Sequence, residues 1–180
     1  WHGLYHPNVV QPYGARHIGP PFFACEYAGA ALGLRYLHAK RIIHRDLMCN
    51  NSLVGSDGQA KLTDFGLSTL GVLVSADENH GEDAEILLKN GEQVKIGAVR
   101  WKAPEALLGE KATYSSDVYS FGMCILEAVS GKYPWGMALL DVVVKYQVVT
   151  AQRIPQRPGH CSVEAYELVK RMCQFEAHKR

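Results

Sequence analysis

The chain has 180 residues, of which 47% are hydrophobic and 21% charged, the composition of one soluble globular domain and too apolar for disorder. Its 19 basic and 18 acidic side chains leave a formal charge of +1, which gives no global reason to bind nucleic acid or an anionic membrane. No apolar run approaches the roughly 18 residues of a membrane span, and five cysteines without a C-x-x-C pair argue against a disulfide framework or a zinc knuckle and for a reducing, cytoplasmic setting.

The chain opens Trp1-His2-Gly3 without a basic-then-apolar leader, so no targeting signal is expected. Residues 1–27 read as short strands and turns punctuated by Pro12, Gly14, Gly19, Pro20 and Pro21, with Phe22–Tyr27 as a buried strand. From Ala28 to Lys40, Ala31, Leu34 and Leu37 recur at helical spacing. Leu53-Val54 and Ala60–Thr63 flank Gly55-Ser56-Asp57-Gly58, which predicts a hairpin. Residues 67–102 form a long connection with an acidic run (Asp77, Glu78, Glu82, Asp83, Glu85), read as a solvated loop.

Beyond it the chain turns helical. Ser115 or Ser116 is expected to cap a helix carrying Val118, Phe121, Ile125, Ala128 and Val129 on one side and ending before Gly131. Leu139–Val149 is so evenly apolar that periodicity does not decide between helix and strand. A last helix over 162–174 puts Tyr166, Val169, Met172 and Cys173 on one face. Strands first and helices after predict an α+β fold.

Three clusters carry the chemistry. His44-Arg45-Asp46-Leu47-Met48-Cys49-Asn50-Asn51 fits H-R-D-L-x-x-x-N, Asp64-Phe65-Gly66 follows the hairpin, and Ala103-Pro104-Glu105 comes later. A chance match at eleven fixed positions is on the order of one in 10^14. These clusters resemble the catalytic loop, metal-binding triplet and activation-segment end of eukaryotic protein kinases. Asp117–Gly122 resembles the start of that family's buried central helix. Arg180 lies where its late arginine meets the glutamate that is Glu105 here. Pro155 with Arg157-Pro158 is similar to the linker of tyrosine-kinase-like members, and His6–Val10 to the turn before the fourth strand.

The resemblance implies a mainly helical C-lobe over 28–180, with an activation segment 64–105, and a remnant of the N-lobe β-sheet over 1–27. It implies ATP and Mg²⁺ as cofactors and a protein substrate as partner. Asp46 would accept the proton of the substrate hydroxyl, while Asn51 and Asp64 would hold magnesium through oxygen. Alone, either aspartate reads equally as a cap or turn residue. Cys25 falls at the gatekeeper position or is simply strand core. Glu26 and Ala28 would offer backbone groups to adenine, and Leu53 its floor. His44 and Phe65, with Gly66 beside it, would pack in the internal spine. Asp117 is either a first-turn helix acid or a tie for the catalytic-loop backbone, or both. Arg45 would receive a phosphate in the activation segment, on Ser75 by preference or on Thr69 or Ser68.

Four departures qualify the resemblance. Met48 stands where serine/threonine kinases have a lysine, and Ala98 where they have a threonine. Val99-Arg100-Trp101 is closer to tyrosine kinases, so a tyrosine-kinase-like member acting on Ser/Thr is expected, with Tyr or dual specificity as the alternative. No G-x-G-x-x-G occurs, the first lysine is Lys40, and the only acid before residue 28 is Glu26. Only 13 residues, Ala28 to Lys40, bridge hinge and catalytic loop, as if a segment had been excised. A weakly active fragment is therefore expected, with a non-catalytic or pseudokinase binding module as the alternative, and poor solubility from apolar surface near Phe22, Leu53 and Phe65.

Overall fold

A computed structural model describes residues 5–9, 27–54, 60–64, 69–70, 98–159 and 161–180. Among the described residues, five α-helices and four short strands make an α+β arrangement in which helix dominates: α1 (Tyr27–Ala39), β1 (Ile42–Ile43), β2 (Ser52–Val54), β3 (Ala60–Leu62), β4 (Thr69–Leu70), α2 (Pro104–Leu107), α3 (Tyr114–Ser130), α4 (Asp141–Val149) and α5 (Val163–Met172).

Helix α1 starts one residue earlier than the sequence pattern suggests. Tyr27 opens it instead of closing a strand, so the boundary expected at 27/28 falls in its first turn; residues 22–26 of the expected strand lie outside the described residues. Its inward face is Ala30, Gly33, Leu34 and Leu37, while Ala31 is exposed. The reason is close contact. A Cβ on Gly33 would meet the Asn8 carbonyl oxygen at 2.4 Å, and one on Gly29 the Asn8 side chain at 2.7 Å, so the glycine edge rather than Ala31 lies against the chain. Asn8 fixes this seam, donating from Nδ2 to Ala60 O (2.8 Å) and accepting from Leu62 N (2.9 Å).

The expected hairpin strands pair antiparallel as β2 and β3, with Ser52 opposite Leu62 and Val54 opposite Ala60. A second pair joins β1 to β4, Ile42 opposite Leu70 and Ile43 opposite Thr69. The tight entry into β1 uses Arg41 in the left-handed region (φ +60°), with its N–H bonded to His38 O at 2.9 Å.

Helix α3 is the core. At 17 residues it runs about 25 Å, and Ser116, Asp117 and Tyr119 through Glu127 are all buried. The side expected to face inward is therefore too narrow: Tyr119, Met123 and Leu126 are buried as well, and Val118 only half so. The cap is Thr113, not Ser115 or Ser116. Thr113 accepts from Ser116 N while the Ser116 hydroxyl accepts from Thr113 N, a reciprocal capping box. Gly131 ends the helix at φ +65°, the left-handed cap glycine adopts without strain.

Residues 141–149, ambiguous by pattern, are helix α4. Val144 and Val148, one turn apart, are buried, and Val142 and Tyr146 face out. Helix α5 is capped by Ser162, whose side chain accepts from Ala165 N. Val169 and Cys173 press on α3 at Gly122, where a Cβ would meet Cys173 Sγ at 2.6 Å. The side chains of Phe22, Leu53 and Phe65, where an exposed apolar surface is expected, lie outside the described residues.

Candidate active site

The loop between β1 and β2 hangs from one buried carboxylate. Asp117 is 1% exposed at the start of α3. Its Oδ2 accepts from His44 N (2.8 Å) and lies 2.9 Å from His38 Nε2, while Oδ1 accepts from Arg45 N (2.9 Å). Two consecutive peptide N–H groups are thereby fixed on an anion, the stronger class of hydrogen bond. Arg45 turns through the left-handed region (φ +72°) immediately after, and Leu47 and Cys49 are buried, anchoring the loop on both sides of the half-buried Asp46.

His44 is wholly buried. Its Nδ1 lies 3.4 Å from Asp46 N, which can only donate, so Nε2 carries the proton and donates to Thr63 O at 3.1 Å. Burial holds this imidazole below its ordinary value, the Asp117 carboxylate only partly offsetting it. A neutral, single-tautomer His44 therefore ties the residue before Asp64 to the residue before Arg45.

Asn51 completes the arrangement. Its Nδ2 donates to Asp46 O (2.7 Å) and approaches Asp46 Oδ2 (3.4 Å), and its backbone carbonyl accepts from Thr63 N (2.9 Å). Asp46, Asn51 and Thr63-Asp64 are thus stitched together by short bonds. Asp64 itself is exposed and left-handed (φ +61°). Arg41, Arg45 and Asp64 are three of the five non-glycine residues at positive φ among the described residues; such conformations cost about 1–3 kcal/mol each and gather where side chains must be aimed.

The donor set suits a hard divalent cation. With its amino group turned to Asp46, Asn51 would hold a cation through its amide oxygen, and Asp64 would add a carboxylate. Among the described residues no group of three or more His, Cys, Asp or Glu could hold a metal alone. Magnesium fits such a partial oxygen set, because it commonly takes one or two carboxylates and completes its shell with water and phosphate oxygens.

The other expected residues divide by position. Ala28 lies in the first turn of α1, Leu53 on the backbone of β2 and Thr69 on that of β4. Cys25, Glu26, Phe65, Gly66, Ser68 and Ser75 lie outside the described residues. Glu105 and Arg180 meet: Arg180 donates from Nη1 to Oε1 (2.6 Å) and from Nη2 to Oε2 (2.8 Å), and Ser116 Oγ donates to Oε1 (2.8 Å). Burial works to raise the Glu105 carboxyl, but the Arg180 and Ser116 hydrogen bonds outweigh it and hold it below its ordinary value.

Two ties escaped the sequence reading. Glu127, 3% exposed on α3, accepts at Oε2 from Trp101 Nε1 (2.8 Å) and Cys49 N (3.4 Å). Burial pushes its carboxyl up, against the opposing pull of those donors. Arg100, 2% exposed, donates to the Gly136 and Leu139 carbonyls and to the Asp141 carboxylate at the start of α4. A lone acid inside an apolar helix was the available signal for Glu127; nothing in sequence marked the Arg100 partners.

A helical lobe with a backbone-clamped His-Arg-Asp loop, beside an Asn and a left-handed Asp, defines a protein kinase catalytic domain. Comparison with known proteins agrees. Residues 23–180 match the model for the protein tyrosine and serine/threonine kinase family, and the chain belongs to that family. It is 32% identical over 166 residues to "Probable serine/threonine protein kinase IRE4" of Arabidopsis thaliana, covering 85% of this chain and 16% of that protein. To "Mitogen-activated protein kinase kinase kinase 2" of the same plant it is 32% identical over 149 residues (83% and 21%). To "Activated Cdc42 kinase-like" of Drosophila melanogaster it is 37% identical over 161 residues (87% and 11%). The chain therefore spans between 11% and 21% of the length of these relatives.

Proposed function

We propose that this chain carries the catalytic-loop lobe of an ATP- and Mg²⁺-dependent protein kinase of the tyrosine-kinase-like group, acting on Ser/Thr hydroxyls of cytoplasmic protein substrates. The observation that supports the reading most is the joint fixation of Asp46, Asn51 and Asp64, by Asp117 through the His44 and Arg45 amides and by Thr63 through His44 and Asn51. Asp46 takes the proton of the acceptor hydroxyl and aims its oxygen, and Asn51 and Asp64 hold the cation. Bound MgATP supplies the phosphoryl group and neutralises charge as it leaves. A positioned base contributes roughly 10²–10⁴ in rate, about 3–5 kcal/mol. Met48, half-buried against the core, leaves the acceptor to be set without the lysine usual in Ser/Thr kinases. Arg45 receives a phosphate placed on Ser75, Thr69 or Ser68.

The second reading is a non-catalytic binding lobe. The test is phosphate transfer from ATP to Ser/Thr and Tyr peptides. Residues 1–180 alone should transfer very little; joined to a strand pair supplying G-x-G-x-x-G and V-A-x-K, they should phosphorylate the Ser/Thr peptides. Asp46→Asn should then lower the rate at least about 100-fold. Unchanged turnover in Asp46→Asn, or none in the joined protein, defeats the catalytic reading.

A further inference from the structure

The free cysteines among the described residues are Cys49, Cys124, Cys161 and Cys173, and the first two meet across the seam between the catalytic loop and α3. Cys49 opens the short 3₁₀ turn Cys49–Asn51, Cys124 stands midway along α3, and both are buried. The Cys49 thiol donates to Cys124 O at 3.4 Å. A carbonyl oxygen stands about 2.4 Å from its own Cα, so the Cys49 sulfur lies within about 5.8 Å of Cys124 Cα. That is a short movement from the spacing a disulfide requires, about 4.4–6.8 Å between Cα atoms.

The pair is buried without being out of reach. The Cys49 side chain also touches the Glu127 carboxyl, and Glu127 lines a cavity of about 340 Å³ together with Lys132, Tyr133 and Met137. A water-sized hydroperoxide in that cavity is one side chain away from the Cys49 sulfur. The other two thiols are placed differently. Cys173 packs on α3 with its thiol directed at Tyr119 O (3.6 Å), and burial pushes that thiol up to about 12, which leaves almost no thiolate to react. Cys161 and Cys173 flank the ten residues of α5, about 15 Å of helix, too far apart to pair.

We propose that Cys49 and Cys124 are a thiol pair which hydroperoxides oxidise to a disulfide, and that the bond unseats the catalytic loop. The Cys49 sulfur attacks the peroxide, the O–O bond breaks, and water or an alcohol leaves as Cys49 becomes a sulfenic acid. The Cys124 sulfur then attacks that sulfur, the S–S bond forms, and the hydroxyl leaves as water. The two thiols thus lose two electrons and two protons, and the hydroperoxide takes up both. Cys124 lies three positions, just under one turn, before Glu127 on α3. The bond therefore draws Cys49 along the helix and off the Glu127 carboxylate, to which its N–H bond is already long at 3.4 Å. Cys49 stands three residues after Asp46 and two before Asn51, so both move with it. The bond itself stands without the catalytic reading; its effect on phosphate transfer rests on that reading.

The experiment treats the full chain with hydrogen peroxide, alkylates the remaining thiols and maps the peptides by mass spectrometry. The expected product is a linked pair of tryptic peptides 46–61 and 112–132, two hydrogens lighter than the separate peptides and released by dithiothreitol. Cys124→Ser should form no linked pair and hold Cys49 as a sulfenic acid that dimedone traps, while Cys173→Ser should link as the wild type does. Unfolding in urea before the peroxide should spread the pairing over all the cysteines. Joined to the G-x-G-x-x-G strand pair, the oxidised chain should lose at least about tenfold in transfer rate, recover it with dithiothreitol, and lose less in Cys124→Ser. No linked pair in the folded wild type, the same pairing in urea, or a linked protein with its full reduced rate would overturn the proposal. A joined protein that transfers nothing when reduced counts against the catalytic reading alone and leaves the bond to be decided by the mass spectrum.

Discussion

Removing the Arg180 side chain should be among the most costly single changes in this lobe. The guanidinium carries five N–H donors and makes five hydrogen bonds: two to Glu105, and one each to the carbonyls of Gln174, Ser115 and Phe175. Its side chain in the pair is 0% exposed and that of Glu105 11%. Arg180→Met leaves Glu105 with the Ser116 hydroxyl as its side-chain donor and no counter-charge, the situation that costs about 3–5 kcal/mol when one member of a buried pair is deleted. Urea unfolding at pH 7, followed by tryptophan fluorescence, measures it. The double variant Arg180→Met/Glu105→Gln should be less destabilised than the sum of the singles by about 1–3 kcal/mol, since no buried charge is left behind. The pH dependence gives an independent sign. The folded Glu105 carboxyl is depressed below its ordinary value of 4.5, so its contribution is full above that value and disappears as pH falls through the depressed one. In Arg180→Met burial acts unopposed by the guanidinium, and protonation relieves the stranded carboxylate. The gap between wild type and variant should therefore begin to narrow above pH 4.5, where the raised carboxyl of the variant takes up its proton, and go on narrowing below it as the wild-type carboxyl follows. A variant within about 0.5 kcal/mol of wild type at pH 7, or a gap that widens in acid, would refute the reasoning.

Two further changes probe how the helices are held. Gly122→Ala places a Cβ 2.6 Å from Cys173 Sγ and 3.3 Å from Met172 Cβ; it should cost about 1–3 kcal/mol by overpacking, read by urea unfolding, and adding Cys173→Ala should return part of the loss. Arg100→Lys keeps the charge but loses the fork that reaches Gly136, Leu139 and Asp141 together; a loss of about 1–3 kcal/mol is expected, with faster amide exchange in α4 than in α5. Unchanged exchange in α4 would mean that its own packing through Val144 and Val148, and not Arg100, holds it in place.

How much of this lobe could be read in advance differs from element to element. The hairpin strands, α1 and α5 follow from turn residues and apolar spacing, which are local. The capping residue of α3 was misjudged because the serines stand nearest the apolar run. The Ser116 hydroxyl is needed one turn in, where it donates to Glu105 and accepts from Thr113, and that requirement is set by a residue eleven positions away. The Ala31 assignment failed for a similar reason: apolar spacing cannot see that Gly33 must lie against the Asn8 carbonyl. For α4, a run of valines satisfies both periods, and only the burial of Val144 and Val148 decides.

The three acids that organise the site show the limit most clearly. Asp117, Glu127 and Glu105 each look ordinary in a local window: a first-turn helix acid, a lone charge in an apolar stretch, an acid after proline. Each is buried and satisfied by donors from elsewhere in the chain, 72 and 73 residues away for Asp117, 26 and 78 for Glu127, and 75 for Glu105. A carboxylate cannot stay buried without donors, so acids set in a helix this apolar already require loops to bring their N–H groups to it. The residues bearing those N–H groups are His44, Arg45, Cys49 and Trp101, all in the loop that carries Asp46 or in the segment leading to Ala103-Pro104-Glu105. The helix is thus the platform because it is the place where the loops' N–H donors, three of the backbone and one of an indole, are needed, and the position of Asp46 follows from satisfying Asp117 and Glu127 together.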